Sequence, residues 1–96
     1  MLVWVIYDIS QDKLRSRVFK ICKGYGLYSV QKSVFVGNME PHEIDELCLR
    51  FDDIIKHDED SVYVFPMCKS DFKAVKLLGQ AFDKRLVSDG IKRLFL

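Results

Sequence analysis

Residues 2 to 7, LVWVIY, are apolar at every position and rich in β-branched and aromatic types, the pattern of a strand covered on both faces and central in its sheet. After Asp8 and a short polar link, Leu14, Val18, Ile21, Cys22 and Tyr25 recur at helical spacing. They predict a helix over about 13–24 whose stripe packs on the sheet. Asp12 is placed to cap this helix, and Gly24 and Gly26 to end it. From 27 to 36 the period changes to two: Tyr28, Val30, Val34 and Val36 share one face, Ser29, Gln31, Ser33 and Phe35 the other. Lys32 interrupts the first face and predicts a bulge or bend, so that two short strands follow one another. Gly37 and Asn38 make a turn. Pro41 suits a first helical position, and Ile44, Leu47, Cys48, Phe51, Ile54 and Ile55 form the stripe of a second helix ending near Lys56. His57, Asp58, Glu59 and Asp60 fill the next loop. Residues 61–67, SVYVFPM, read as a strand, with Pro66 marking an end or an edge. Residues 72–78 fit a short strand or a helix, Gly79 a break, and 91–96 a terminal strand.

The order β, α, β, β, α, β is that of a ferredoxin-like α+β sandwich, two helices on one face of an antiparallel sheet and the other face free. This alternation is read as placing Phe35 and several polar side chains on the open face. An apolar open face calls for a second molecule, and a second subunit is the simplest candidate. A chain of 96 residues, 49% hydrophobic, suffices for one domain spanning 1–96 with a two-layer core.

The net charge of +1 conceals a strong division along the chain. Residues 11 to 32 carry six basic side chains against Asp12 alone, residues 40 to 60 nine acids against Arg50 and Lys56, and residues 69 to 96 seven bases against three acids. Two readings stand side by side: ordinary solvated helix faces, or a basic surface for a polyanion with the acidic surface turned away. Cys22, Cys48 and Cys68 are an odd number without close spacing, which suits reduced thiols in a cytoplasmic protein, Cys22 and Cys48 packing on helical stripes. With no uninterrupted apolar run near the ~20 residues of a membrane span, a soluble protein is expected.

KGYGLYSV, residues 23 to 30, starts like the RNA-recognition signature. It falls across the end of the first helix instead of on a third strand, and Leu27 and Val30 replace aromatics. Asp8 is the sharper feature. A carboxylate at the end of a central strand can hold a hard cation such as Mg²⁺, which needs one or two protein carboxylates and keeps water or phosphate oxygens for the rest of its shell. It can equally bracket the following turn through backbone amides. Two copies of Asp8 facing across a two-fold axis would make a better metal site than one. Arg15 and Arg17 lie near enough in sequence to bind phosphates beside such a site, or are surface residues without a partner. His42 and His57 fit helix ends, and no cysteine has a positioned base.

Taken together, YDISQDKLRSRV from Tyr7, GYG from Gly24, QKSVF from Gln31 and VG from Val36 resemble the second CRISPR-associated protein family, the small partner of the CRISPR integrase in spacer acquisition. The strand at 61–67 followed by Cys68, and the LLG at Gly79, resemble the family's tail more loosely. The resemblance implies a ferredoxin-like homodimer whose C-terminal strand crosses to the partner, with residues of about 80–96 in dimer contacts. It implies a complex that bridges integrase dimers and binds duplex DNA along a basic surface. It further implies a Mg²⁺-dependent endonuclease acting on RNA or DNA, with Asp8 as metal ligand and Asp8, Arg15 and Arg17 as the catalytic set. Tyr7, Ser10, Lys13, Arg15, Arg17, Lys20 and Phe35 are then the nucleic-acid-binding positions. An arginine common in relatives is Ser29 here, and the second cysteine of a C-x-x-C seen in some tails is Asp71. The alternatives in other classes are a nucleic-acid scaffold without catalysis and a ligand-sensing module on the same fold. No glycine-rich ligand loop supports the last.

Overall fold

The apolar run at the start of the chain becomes β1 (Leu2–Asp8), which lies between β3 (Val34–Asn38) and β4 (Ser61–Met67) and is antiparallel to both. The computed structural model describes residues 1–78. Its remaining elements are α1 (Asp12–Gly24), β2 (Tyr28–Gln31), α2 (Pro41–Ile54) and α3 (Lys69–Ala74). The sheet order β2-β3-β1-β4 with α1 and α2 on one face is the expected α+β sandwich, and the central position of β1 accounts for its two apolar faces. β4 pairs with β1 along its length and stands at the edge among the described residues, where Pro66 removes a donor that no neighbour there requires. The terminal strand expected at 91–96 lies outside the described residues.

Local chemistry sets the helix ends. α1 closes in a Schellman motif: the Leu27 amide donates to the Cys22 carbonyl at 3.2 Å and the Gly26 amide to Lys23 at 3.0 Å. The motif needs a left-handed residue after the cap, and Gly26 supplies it at φ +79°. At the other end, the expectation for Asp12 is corrected. The cap is Gln11, without a side-chain bond, and Asp12 sits in the first helical turn, paired with Arg15. α2 starts with Pro41 at a first position and a capping box between Glu40 and Glu43, and it ends at Ile54. Lys32 and Ser33 form the turn between β2 and β3, with a register irregularity between Ser29 and Gln31, so residues 27–36 are indeed two strands.

Two expectations about the faces are overturned. Phe35 is fully buried on the helix side with Val3, Val5, Tyr7, Val18, Leu47 and Phe51, while Tyr28, Val30, Val34 and Val36 take the far side. Paired residues on adjacent strands point the same way, and Phe35 pairs with the fully buried Val5. Nor is the far face wholly free. The sequence after β4 folds back over one end of it, stacking Phe72 on Trp4 at 5.8 Å between centroids, with Val75 and Leu77 packed alongside. Toward Asp8 it keeps Ile6 and Tyr63 exposed, and on the β4 edge Phe65, opposite Trp4, is exposed as well. Cys48 also departs from expectation: it is exposed at the margin of the α2 stripe, whereas Cys22 is fully buried and its thiol is pushed up to about 12 by that burial.

Candidate active site at the end of the first strand

β1 delivers two adjacent side chains to opposite faces of the sheet. Tyr7 goes inward, 4% exposed, its ring 6.2 Å from that of Phe35. Burial, with the nearby Cys22, raises its hydroxyl pKa, and a hydrogen bond to Ser33 and the charge of Arg15 offset this only partly. It is a neutral phenol at physiological pH. Asp8 goes outward and is exposed. Among the described residues no hydrogen bond or ion pair engages its carboxylate. Of the two readings of this residue, the turn cap therefore has no bond to stand on.

The loop that follows is held by other groups. Asp60 is almost fully buried at the end of the α2–β4 loop. Its Oδ1 accepts the Ser10 amide at 3.1 Å and the Ser10 hydroxyl at 3.4 Å, and its Oδ2 accepts the Lys56 amide at 2.9 Å. The Lys56 amide first, and then the Ser10 donors, hold the Asp60 carboxyl below its ordinary range despite its burial. Glu59 takes a second bond from the Ser10 hydroxyl at 3.2 Å. Ser10 is thus engaged by two acids, and part of the acidic stretch faces this loop instead of turning away from it. Arg15 closes the other side: one Nη donates to the Ile9 carbonyl at 3.0 Å and the other pairs with Asp12.

The structure does not bring Arg15 and Arg17 together. Positions two apart on a helix project in nearly opposite directions, and the two guanidinium groups face different clefts. Arg15 lines one between α1 and the β2–β3 hairpin. Arg17 lines another between α1 and α2, opposite Arg50, where Arg50 lies 5.7 Å over the Tyr25 ring and the Tyr25 hydroxyl donates to Glu46. Lys20 borders both clefts, and Lys13 is exposed on the first turn. Phe35, expected to meet nucleic acid, lies beneath the site as packing for Tyr7 and Phe19. Asp60 is the residue that sequence reasoning missed; its contact spans fifty positions, and nothing local to DED at 58–60 announces it.

A family model described as CRISPR associated protein Cas2 matches residues 1–75. The chain belongs to the Cas2 family. It is 41% identical over 78 residues to a CRISPR-associated endoribonuclease Cas2 of Desulforudis audaxviator, spanning 81% of this chain and 74% of that one. It is 32% identical over 69 residues to a CRISPR-associated endonuclease Cas1/endonuclease Cas2 fusion of Thermoproteus tenax, covering 72% of this chain and 26% of the fusion. The crystal structure of Streptococcus pyogenes Cas2 at pH 6.5 superposes with a TM-score of 0.70 at 32% identity, covering 82% of this chain and all of that one. The Cas2 family is the one that the motifs of the first forty residues resemble.

The donor set for a metal is narrow. Among the described residues no group of three or more histidine, cysteine or acidic side chains could enclose an ion. One exposed, unengaged carboxylate fits Mg²⁺ in its usual style, a cation that keeps most of its waters and takes further oxygens from a phosphate. No helix among the described residues is long and apolar enough to cross a membrane.

Proposed function

We propose that this Cas2-family chain acts as a homodimer in the spacer-acquisition complex, binding duplex DNA and bridging integrase dimers, and that it cleaves phosphodiesters with Mg²⁺ held at Asp8. The observation that carries the catalytic reading is the unengaged Asp8 carboxylate on a strand end whose neighbouring loop is otherwise fully tied down. Names of relatives support the activity, and the fused relative supports the integrase as partner. The exposed Ile6 and Tyr63 beside Asp8, continued by Phe65 along β4, suit burial against a second copy, which would set two Asp8 carboxylates near one two-fold axis.

In the mechanism, Asp8 would supply the carboxylate oxygens to hold the cation. When bound, the cation supplies Lewis-acid stabilisation of the phosphoryl oxygens and a more acidic water. Asp60, Ser10 and Arg15 keep the loop after β1 in one conformation, so that Asp8 does not lose orientation as substrate arrives. The basic surface of residues 11–32, with Lys13, Arg17 and Lys20 exposed, neutralises backbone phosphates without reading bases. Arg17 acts at a distance from Arg15, as a phosphate anchor on the helical side.

Wild-type protein and Asp8→Asn, purified in parallel, are compared for Mg²⁺-dependent cleavage of single-stranded RNA and duplex DNA, and for duplex binding across a salt series. Loss of cleavage with binding retained, or strengthened by removal of the negative charge, is the expected result. Full cleavage by Asp8→Asn overturns the catalytic assignment. Salt-dependent duplex binding by both proteins with cleavage by neither leaves the scaffold role and removes the nuclease.

A further inference from the structure

The cleft between α1 and the β2–β3 hairpin holds about 320 Å³ and is lined by no acidic residue, whereas the cleft between α1 and α2 has Glu46 on its wall. One wall is Phe19, 42% exposed and braced edge-on by the buried Phe35 at 5.3 Å. Lys20 and Lys32 stand at the cleft with the hydroxyls of Ser16, Ser29 and Ser33. The floor is fixed. Ser33 is held at φ +66°, and its carbonyl accepts the Tyr7 amide at 3.1 Å, which ties the hairpin to β1. A non-glycine residue in this backbone region persists only where its surroundings impose it. Arg15 contributes wall more than charge, since Ile9 and Asp12 engage its guanidinium.

A rigidly backed aromatic ring, two free-standing ammonium groups and several hydroxyls, without acids, form a combination that suits a single base with its phosphate. A duplex cannot enter so small a space with its bases paired. We infer that this cleft binds one unpaired nucleotide of a nucleic-acid strand, its base on Phe19 and its phosphate between Lys20 and Lys32. Because Tyr7 lines the cleft from the helix side while Asp8 points to the far side, the cleft is separate from the proposed position of cleavage. The inference rests on the nucleic-acid reading above and adds to it a site for an unpaired nucleotide.

The test measures binding of short oligothymidylate, short oligouridylate and a blunt duplex to wild-type protein, Phe19→Leu, Phe19→Tyr and Lys32→Gln, with thermal melts confirming that each variant folds. Phe19→Leu should weaken binding of the preferred oligonucleotide by about tenfold, the order of one lost base stack, with duplex affinity little changed. Phe19→Tyr should restore it, and Lys32→Gln should weaken it and lower its salt dependence. Tighter binding of either oligonucleotide by wild type than by Phe19→Leu, with duplex binding unchanged, supports the cleft. Oligonucleotide binding equal in wild type, Phe19→Leu and Lys32→Gln, or a parallel loss of duplex and oligonucleotide, overturns it. Duplex binding with such equality removes this cleft alone, whereas a wild type that binds none of the three probes removes the nucleic-acid reading as well.

Discussion

On the helix side of β1, Tyr7 is packed between strands and helix, its ring against Phe35 and its amide bonded to Ser33. One residue on, Asp8 faces the other way, exposed beside Ile6 and Tyr63 and without a polar partner among the described residues. The difference shows a division of labour within two residues. Several polar contacts near the strand end secure backbone: Asp60 to Ser10 and Lys56, Arg15 to Ile9, Ser33 to Tyr7. The acid to which the proposed chemistry is assigned is left out of that network. A carboxylate already satisfied inside the protein would have to give up its bonds before it could serve a cation or a substrate.

The comparison is broken most forcefully from the inner side. Phe35→Ala removes a fully buried ring that supports both Tyr7 and Phe19, and it should cost about 3–5 kcal/mol. Urea unfolding would show the midpoint falling with the slope preserved. A loss below about 1 kcal/mol would mean that the ring is not the keystone of this face.

A smaller effect separates two glycines at one helix end. Gly26→Ala forces a side chain into a left-handed position and should destabilise by about 1–2 kcal/mol. Gly24→Ala, inside α1 with open space where its Cβ would stand, should stabilise by roughly 0.5–1 kcal/mol. Equal shifts in the two melts would refute the Schellman assignment.

Asp60 sharpens the contrast through pH. Its folded-state pKa is lowered from 3.8, chiefly by the Lys56 amide and then by Ser10. The stabilisation is therefore complete above that ordinary value and is lost as pH falls through the lower folded value. Thermal melts of wild type and Asp60→Asn should differ most near neutrality and converge in acid. Cleavage by Asp60→Asn should fall with its loop loosened, while duplex binding persists. A melting difference that does not narrow below the ordinary carboxylate range would show that Asp60 does not act as a charged acceptor.

How much of this was legible beforehand follows from the length scale of each signal. Strand and helix periods are local, and they located β1, α1, the split at Lys32 and α2 to within a few residues. Period two separates Phe35 from Val34 and Val36 but does not say which set lies under the helices; that was decided by pairing with Val5, thirty positions away. The split between Arg15 and Arg17 was present in the spacing itself, since helical geometry parts residues two apart. The Ser10–Asp60 bond arises only once β4 has paired beside β1, and the cover of Phe72 on Trp4 only once the chain has turned back across the sheet. Neither leaves a local trace.

The smallest expected change in stability is at Asp8. Asp8→Asn removes a charge that nothing among the described residues neutralises, so the melting curve should move by no more than about 0.5 kcal/mol, in either direction. Added Mg²⁺ gives the sharper reading. If the wild-type carboxylate holds the ion, melts with and without Mg²⁺ should separate for wild type and coincide for Asp8→Asn, because a ligand that binds the folded state alone raises its apparent stability. The separation should grow with protein concentration if two Asp8 side chains from two copies share the ion, since assembly and metal binding are then linked. A Mg²⁺ shift that persists in Asp8→Asn would place the cation elsewhere and leave the exposed acid without its assigned role.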